Sequence, residues 1–251
     1  MLRTRVIPLL LLYNENLVKT IKFGKFSYIG DPINSVRIFN ELEVDELIFL
    51  DITASSEKKD PNFNLLYEIA NECFMPLSYG GGITSLEQAK KIFDIGFEKI
   101  SINTSSIENP DLITKIANQY GSQAIIVSLD IKKNLFGKKT IRTLGGKKNT
   151  KKNPIDWAIE VENRGAGEIL LTSIDNEGTW KGFDIDMIKK ITSNVSIPVI
   201  AHGGAGNIEH ITDAVKNARA SAVALGSMVV FQKKGMGVLL NFPDKLNLKN
   251  L

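Results

Sequence analysis

Short runs of Val, Ile and Leu recur along the chain, each followed by a longer stretch in which apolar residues return every three or four positions. In the first half the runs are Val6–Leu12, Leu47–Leu50, Pro76–Tyr79 and Lys99–Ile102. In the second half they are Ala124–Leu129, Ile169–Leu171, Val199–Ala201 and Ala222–Leu225. They are too short for helices and apolar throughout, which predicts parallel strands covered on both sides. The intervening stretches carry helix starts. Asp31 can cap a helix whose first position is Pro32, with Ile33, Val36, Phe39 and Leu42 following at helical spacing, and Asn153-Pro154 repeats the device. Ser85 to Gln88 reads as a capping box, and Gly96 as a left-handed helix end. Lys233 to Pro243, with two glycines and a proline, predicts a poor final helix.

The pattern repeats itself. At a shift of about 122 residues Asp31-Pro32 meets Asn153-Pro154, Glu46–Leu50 meets Glu168–Thr172, Gly81-Gly82 meets Gly203-Gly204, and Ile100–Ser105 meets Ala222–Ser227. Four strand–helix units per half, twice over, predict an α/β chain folded as one (β/α)8 barrel over residues 1–251, built from half-barrels of about 1–122 and 123–251. A doubly wound open sheet is the alternative, but it gives no reason for a half-length repeat.

Composition narrows the class of protein. Apolar residues make up 43% and charged residues 24%, enough for a large core. The single cysteine, Cys73, excludes a disulfide framework and fits the reducing cytoplasm, where it reads as a buried structural thiol. No apolar stretch approaches the roughly 18 residues of a membrane span. The basic, then apolar, start of the chain lacks a small-residue cleavage site and runs into Asn14, Glu15 and Asn16, so it reads as a buried first strand. Net charge is +3, yet Ile131 to Asn153 holds nine Lys or Arg and no acid. That stretch is either a solvated loop or one that attracts a polyanionic small molecule. Its lack of aromatics beyond Phe136 speaks against nucleic-acid stacking.

Four small-residue turns follow strands: Gly80-Gly81-Gly82, Asn103-Thr104-Ser105, Gly203-Gly204-Ala205-Gly206, and Gly226-Ser227. Glycine lets the backbone come close to an anion, and free N–H groups of the next helix then bind it. Barrel phosphate sites are built from the loops after strands 7 and 8, and the repeat places a second pair after strands 3 and 4. Two symmetry-related cups at one mouth predict a substrate phosphorylated at both ends.

These residues carry a resemblance. The runs Asp45–Ala54, Lys99–Thr104 and Gly165–Asp175, with the turns Gly80–Gly82 and Gly203–Gly206, closely resemble the cyclase (HisF) subunit of imidazole glycerol phosphate synthase, from about Met1 to Ser227. The resemblance implies a barrel that docks a HisH-type glutaminase on its N-terminal face, passes ammonia through its interior, and uses it on a phosphorylated substrate at the top, with no cofactor or metal. It implies a ring of charges gating the foot, here Arg5, Glu46, Lys99 and Glu168, and a substrate site at Lys19, Asp51, Gly81, Gly82, Asn103, Thr104, Thr172, Glu177, His202, Gly203, Gly204, Gly226 and Ser227. The family's two catalytic aspartates end strands 1 and 5. Asp130 matches the second, but Leu11 stands in place of the first, and an aliphatic side chain cannot transfer a proton. Glu177 stands where the family commonly has Asp, and His202 where it has Ser. His202 is read either as a phosphate donor and replacement acid/base or as a structural hydrogen-bonding group. Asp51 carries a structural alternative too, and His210 reads as plain surface.

Three functions are weighed. The first is a HisF-type paralogue like those associated with amidino-sugar formation in surface polysaccharide synthesis, furnishing ammonia to a sugar amidotransferase. The second is an authentic histidine-pathway cyclase. The third is a conduit and scaffold without catalysis. No nucleic-acid or membrane partner is expected.

Overall fold

In the computed structural model, described for residues 4–134, 136–244 and 248, eight parallel strands close into a barrel. They are β1 (Arg5–Tyr13), β2 (Leu47–Asp51), β3 (Leu77–Gly80), β4 (Lys99–Ile102), β5 (Ile125–Lys133), β6 (Glu168–Ser173), β7 (Val199–His202) and β8 (Ala222–Leu225). Each pairs with the next, and β8 returns to β1 with Arg5 opposite Ala222 and Ile7 opposite Ala224. The predicted barrel is therefore the observed one. Several strands run past the apolar runs, so that Asp51, Thr172 and His202 stand at or next to their strand ends and Asp130 three residues before the end of β5, all lining one mouth. Ladder hydrogen bonds continue through these polar residues because side-chain polarity does not interrupt backbone pairing.

Strand side chains alternate between two cores. Val6, Leu10, Leu12, Leu47, Phe49, Val127, Leu129, Val199 and Val223 face outward into the helix layer. Ile7, Leu9, Leu11, Ile48, Ile126, Leu170, Ile200, Ala222 and Ala224 pack together inside the barrel. The helices close the outer core as the sequence predicts. Asp31 accepts from Asn34 N at the start of helix Pro32–Glu41, whose Val36 and Phe39 are fully buried, each contributing about 1.5–3 kcal/mol. Asn153 caps helix Pro154–Asn163 from the matching position, its Oδ1 accepting from Ile155 N at 2.8 Å. Ser85 and Gln88 form the reciprocal box of helix Leu86–Ile95, which ends at Gly96 with φ +120°. Lys233–Pro243, with its two glycines and proline, forms no helix; Phe231 and Val238 make an isolated bridge there.

Two additions stand on the rim. A hairpin, strands Asn16–Thr20 and Phe26–Gly30, continues β1 antiparallel, with Leu11 opposite Val18. The basic stretch is no plain loop: strand Lys139–Thr143 pairs antiparallel with β5, and Lys148–Asn149 pairs with it in turn. Cys73 is half-buried, with its Sγ 3.4 Å from the Met75 carbonyl, and burial pushes the thiol up. Among the described residues no helix is long and apolar enough to cross a membrane.

Candidate functional site

At the foot, four charged side chains begin four different strands or lie just before them, and the barrel's closure brings them together. Arg5 reaches Glu46 at 2.8 Å and Glu168 at 3.1 Å, while Lys99 reaches Glu46 at 3.2 Å and Glu168 at 3.0 Å. Each cation touches both anions, so the ring is closed and neutral. Glu46 and Glu168 are buried, and only this pairing makes two carboxylates tolerable there. Above the ring lies the apolar interior, relieved on one wall by Ser78, Ser101 and Ser128. Ser78 donates towards Glu46 at 3.5 Å, and the Ser101 and Ser128 hydroxyls are 2.7 Å apart. Sequence reasoning passed over these serines. The signal was there: each interrupts an apolar strand at an inward position.

At the opposite, C-terminal ends of the strands a cavity of about 370 Å³ opens. Asp51, Gly81, Gly82, Asn103, Thr104, Asp130, Thr172, Glu177 and His202 all line it, together with Leu11, Thr20, Phe23 and Lys147, of which only Leu11 had been singled out. Asn103 is fixed by three acceptors: its Nδ2 donates to Asp130 at 3.1 Å and to the Ser128 and Arg142 carbonyls at 3.2 Å. Burial pushes the Asp130 carboxyl up to about 7, a hydrogen bond from Thr172 working the other way. Asp51 is committed to structure. Its Oδ1 accepts from Thr53 N, Thr53 Oγ1 and Ala54 N within 2.9 Å, which fixes the turn after β2.

Lys19, Gly203, Gly204, Gly226 and Ser227 are set apart from this cavity, in a recess of only about 10 Å³ that shares Glu177 and His202 with it. The Lys19 ammonium is in direct contact with Glu177 and donates to the Thr20 carbonyl at 3.0 Å. Both side chains are almost wholly buried, and burial pushes Lys19 down to about 7. His202 lies beside them with Nδ1 3.2 Å from Thr172 Oγ1. Its own burial, then the nearby Lys19, push it down to about 3, so the ring is neutral. A neutral imidazole of that basicity holds a hydrogen bond and is a poor proton acceptor, which favours the structural reading of His202. His210, read as plain surface, is a small correction: its Nδ1 accepts from Gly206 N at 3.1 Å and pins the Gly203–Gly206 turn.

A family model described as "Histidine biosynthesis protein" matches residues 5–234. The chain belongs to the histidine biosynthesis protein family. Its relatives place it among HisF-type members. It is 50% identical over 244 residues to a Pseudomonas aeruginosa protein provisionally named imidazole glycerol phosphate synthase subunit hisF2, covering 97% of each chain. It is 47% identical to a similarly named HisF protein of Leptospira borgpetersenii, covering 97% of this chain and 96% of that one. To the imidazole glycerol phosphate synthase subunit HisF of Chlorobium phaeovibrioides it is 42% identical, covering 93% and 92%. Within this HisF-type barrel the mouth is chemically lopsided. Asp130 faces the cavity from β5, while Leu11 faces it from β1, 6% exposed and packed with the inner core.

Proposed function

We propose that this HisF-type subunit takes ammonia from a glutaminase docked at its N-terminal face and uses or delivers it at a phosphate-binding top face, as a paralogue serving amidino-sugar formation in the cytoplasm. One observation carries the reading: a closed, neutral ring of Arg5, Glu46, Lys99 and Glu168 caps an apolar barrel interior. Such a ring excludes ammonium, which would need desolvation, yet parts for a neutral molecule. Transit above it requires brief parting of Ile7, Leu9, Ile48 and Leu170, with the serine wall offering hydrogen bonds. Leu11 supports the paralogue over standard cyclase chemistry, since one of the family's two proton-transferring carboxylates is missing. In this role ammonia passes to a sugar amidotransferase at the rim.

The test uses the chain assembled with its glutaminase. Lys99→Ala is expected to lower product made from glutamine while sparing product made from free ammonium salt; equal loss from both nitrogen sources refutes the gate. The authentic-cyclase reading is favoured by Asp130, whose raised carboxyl suits acid/base work near neutrality. Robust turnover of the ribulosyl formimino ribotide substrate would establish it and remove the paralogue.

A further inference from the structure

Near the mouth, three neighbouring strands each turn a hydrogen-bonding side chain into the barrel at the same level. We propose that His202 is a positioning residue for Asp130: its neutral ring acts through the Thr172 hydroxyl and exchanges one tautomer for the other as the carboxyl gives up or regains a proton. This rests on the reading of Asp130 as the proton-transferring group of the top face.

The level is set by register. Thr172 of β6 stands opposite Asp130 of β5 on one side and His202 of β7 on the other. Asp130 lies four residues past Ile126, Thr172 two past Leu170, and His202 two past Ile200, all inner-core residues, so strand alternation turns the three side chains inward. Their contacts form one line. Asn103 Nδ2 donates to Asp130 Oδ2 at 3.1 Å, the Thr172 hydroxyl hydrogen-bonds the same carboxyl, and Thr172 Oγ1 lies 3.2 Å from His202 Nδ1.

The Thr172 hydroxyl has a single hydrogen, and that count fixes the ring. Given to an ionised Asp130, it leaves Oγ1 to accept from His202, so Nδ1 carries the ring proton. A protonated Asp130 reverses the line: the carboxyl donates to Oγ1, the hydroxyl donates to Nδ1, and the ring proton sits on Nε2. The change balances without a co-reactant. One hydrogen leaves Nδ1 for Oγ1, the hydroxyl hydrogen passes to the carboxylate, and one proton from solvent joins Nε2. The ring has to stay neutral, because an imidazolium donates from both nitrogens. Burial, then the nearby Lys19, keep it neutral down to about 3.

The charges around the line are already engaged or stand at its edges. Lys19, paired with Glu177, adjoins the ring, and Asp184, paired with Lys139, lies behind Thr172 and His202. Arg142 stands opposite Asp130 on the rim strand, and Asp51, Glu57 and Lys147 line the cavity. Thr172 is the hydroxyl that joins ring to carboxyl, so its removal separates a relayed effect from a direct one.

The experiment follows carboxyl carbon and ring nitrogen shifts of the isotopically labelled full chain against pH, with Asp130 assigned by Asp130→Asn. The Asp130 midpoint is expected at about 7. Both His202 ring nitrogens are expected to change over with that same midpoint while the ring stays neutral, and to hold one tautomer in Asp130→Asn. Thr172→Val is expected to raise the midpoint by about one pH unit. His202→Leu is expected to raise it by ~0.3, and His202→Asn, whose carboxamide N–H stands near the Nδ1 position, to return the parent value. The double variant of Thr172→Val and His202→Leu is expected to match Thr172→Val alone. Ring shifts in the unaltered chain that stay flat through the Asp130 midpoint would overturn the proposal, whatever the variants do. So would a His202→Leu effect of equal size with and without the Thr172 hydroxyl. Product made from free ammonium salt at the parent rate by Asp130→Asn would overturn the acid/base reading of Asp130 and leave the relay standing.

Discussion

Asp130→Asn is expected to stabilise the fold at alkaline pH and to leave it unchanged in acid. In the folded chain the Asp130 carboxyl keeps its proton until about 7, against an ordinary 3.8. Between those values the native state binds the extra proton, so this group's favourable contribution is whole below 3.8 and is lost as pH rises through about 7. At ~1.4 kcal/mol per tenfold change the full difference is on the order of 4 kcal/mol. Asp130 is partly open to the cavity, so that figure is a ceiling, and ~2–4 kcal/mol is the expected gain for Asn at pH 8.5. His202 has the opposite sign. Its folded value of about 3 lies below the ordinary 6.5, so stability is lost as pH falls through that window. Across pH 4 to 6.5 the two slopes offset each other in the unaltered chain, and Asp130→Asn exposes the histidine's slope alone. Urea unfolding followed by circular dichroism at pH 5 and pH 8.5, extrapolated linearly to water, reads the difference. An Asn variant whose stability relative to the parent is the same at both pH values would refute the buried-carboxyl argument.

Three further substitutions probe the same scaffold. Leu11→Asp places a carboxylate into the inner core beside Leu9 and Val18, so it is expected to cost ~2–4 kcal/mol at pH 8.5 and less at pH 5, where the group takes up a proton; a pH-independent cost would show that water reaches it. Gly204→Ala is expected to cost more than ~2 kcal/mol, because φ is +112° and the new Cβ would meet the Gly182 carbonyl at 2.0 Å; Gly235→Ala, with φ +78° and open space around it, should cost only ~1 kcal/mol, and equal melting temperatures for the two would contradict the packing of the Gly203–Gly206 turn.

Much of the molecule was legible along the chain because its signals are local. Apolar runs gave the strands, Asp31-Pro32 and Asn153-Pro154 gave matching helix starts, and Gly81-Gly82 against Gly203-Gly204 revealed the duplication. Asp51 was placed on the mouth by its position after an apolar run, whereas Asp130 was placed there by the family resemblance; both line the cavity. The basic stretch was harder. Its pairing with β5 depends on cross-strand register, with Asp130 opposite Arg142, and charge composition carries no register.

What the sequence by itself determined is the barrel, its two-fold repeat, and which residue types stand at its foot and rim, since periodicity and turn chemistry act over a few residues. What only the tertiary structure decided is who meets whom. Arg5, Glu46, Lys99 and Glu168 close a ring because barrel closure sets four strand starts side by side. Lys19 finds Glu177, 158 residues away, because a hairpin antiparallel to β1 folds over the barrel mouth and brings the two together. Repeats in a sequence specify backbone; burial and ion pairing between distant segments then break the symmetry, since the energy of a buried charge depends on neighbours that the linear order does not reveal.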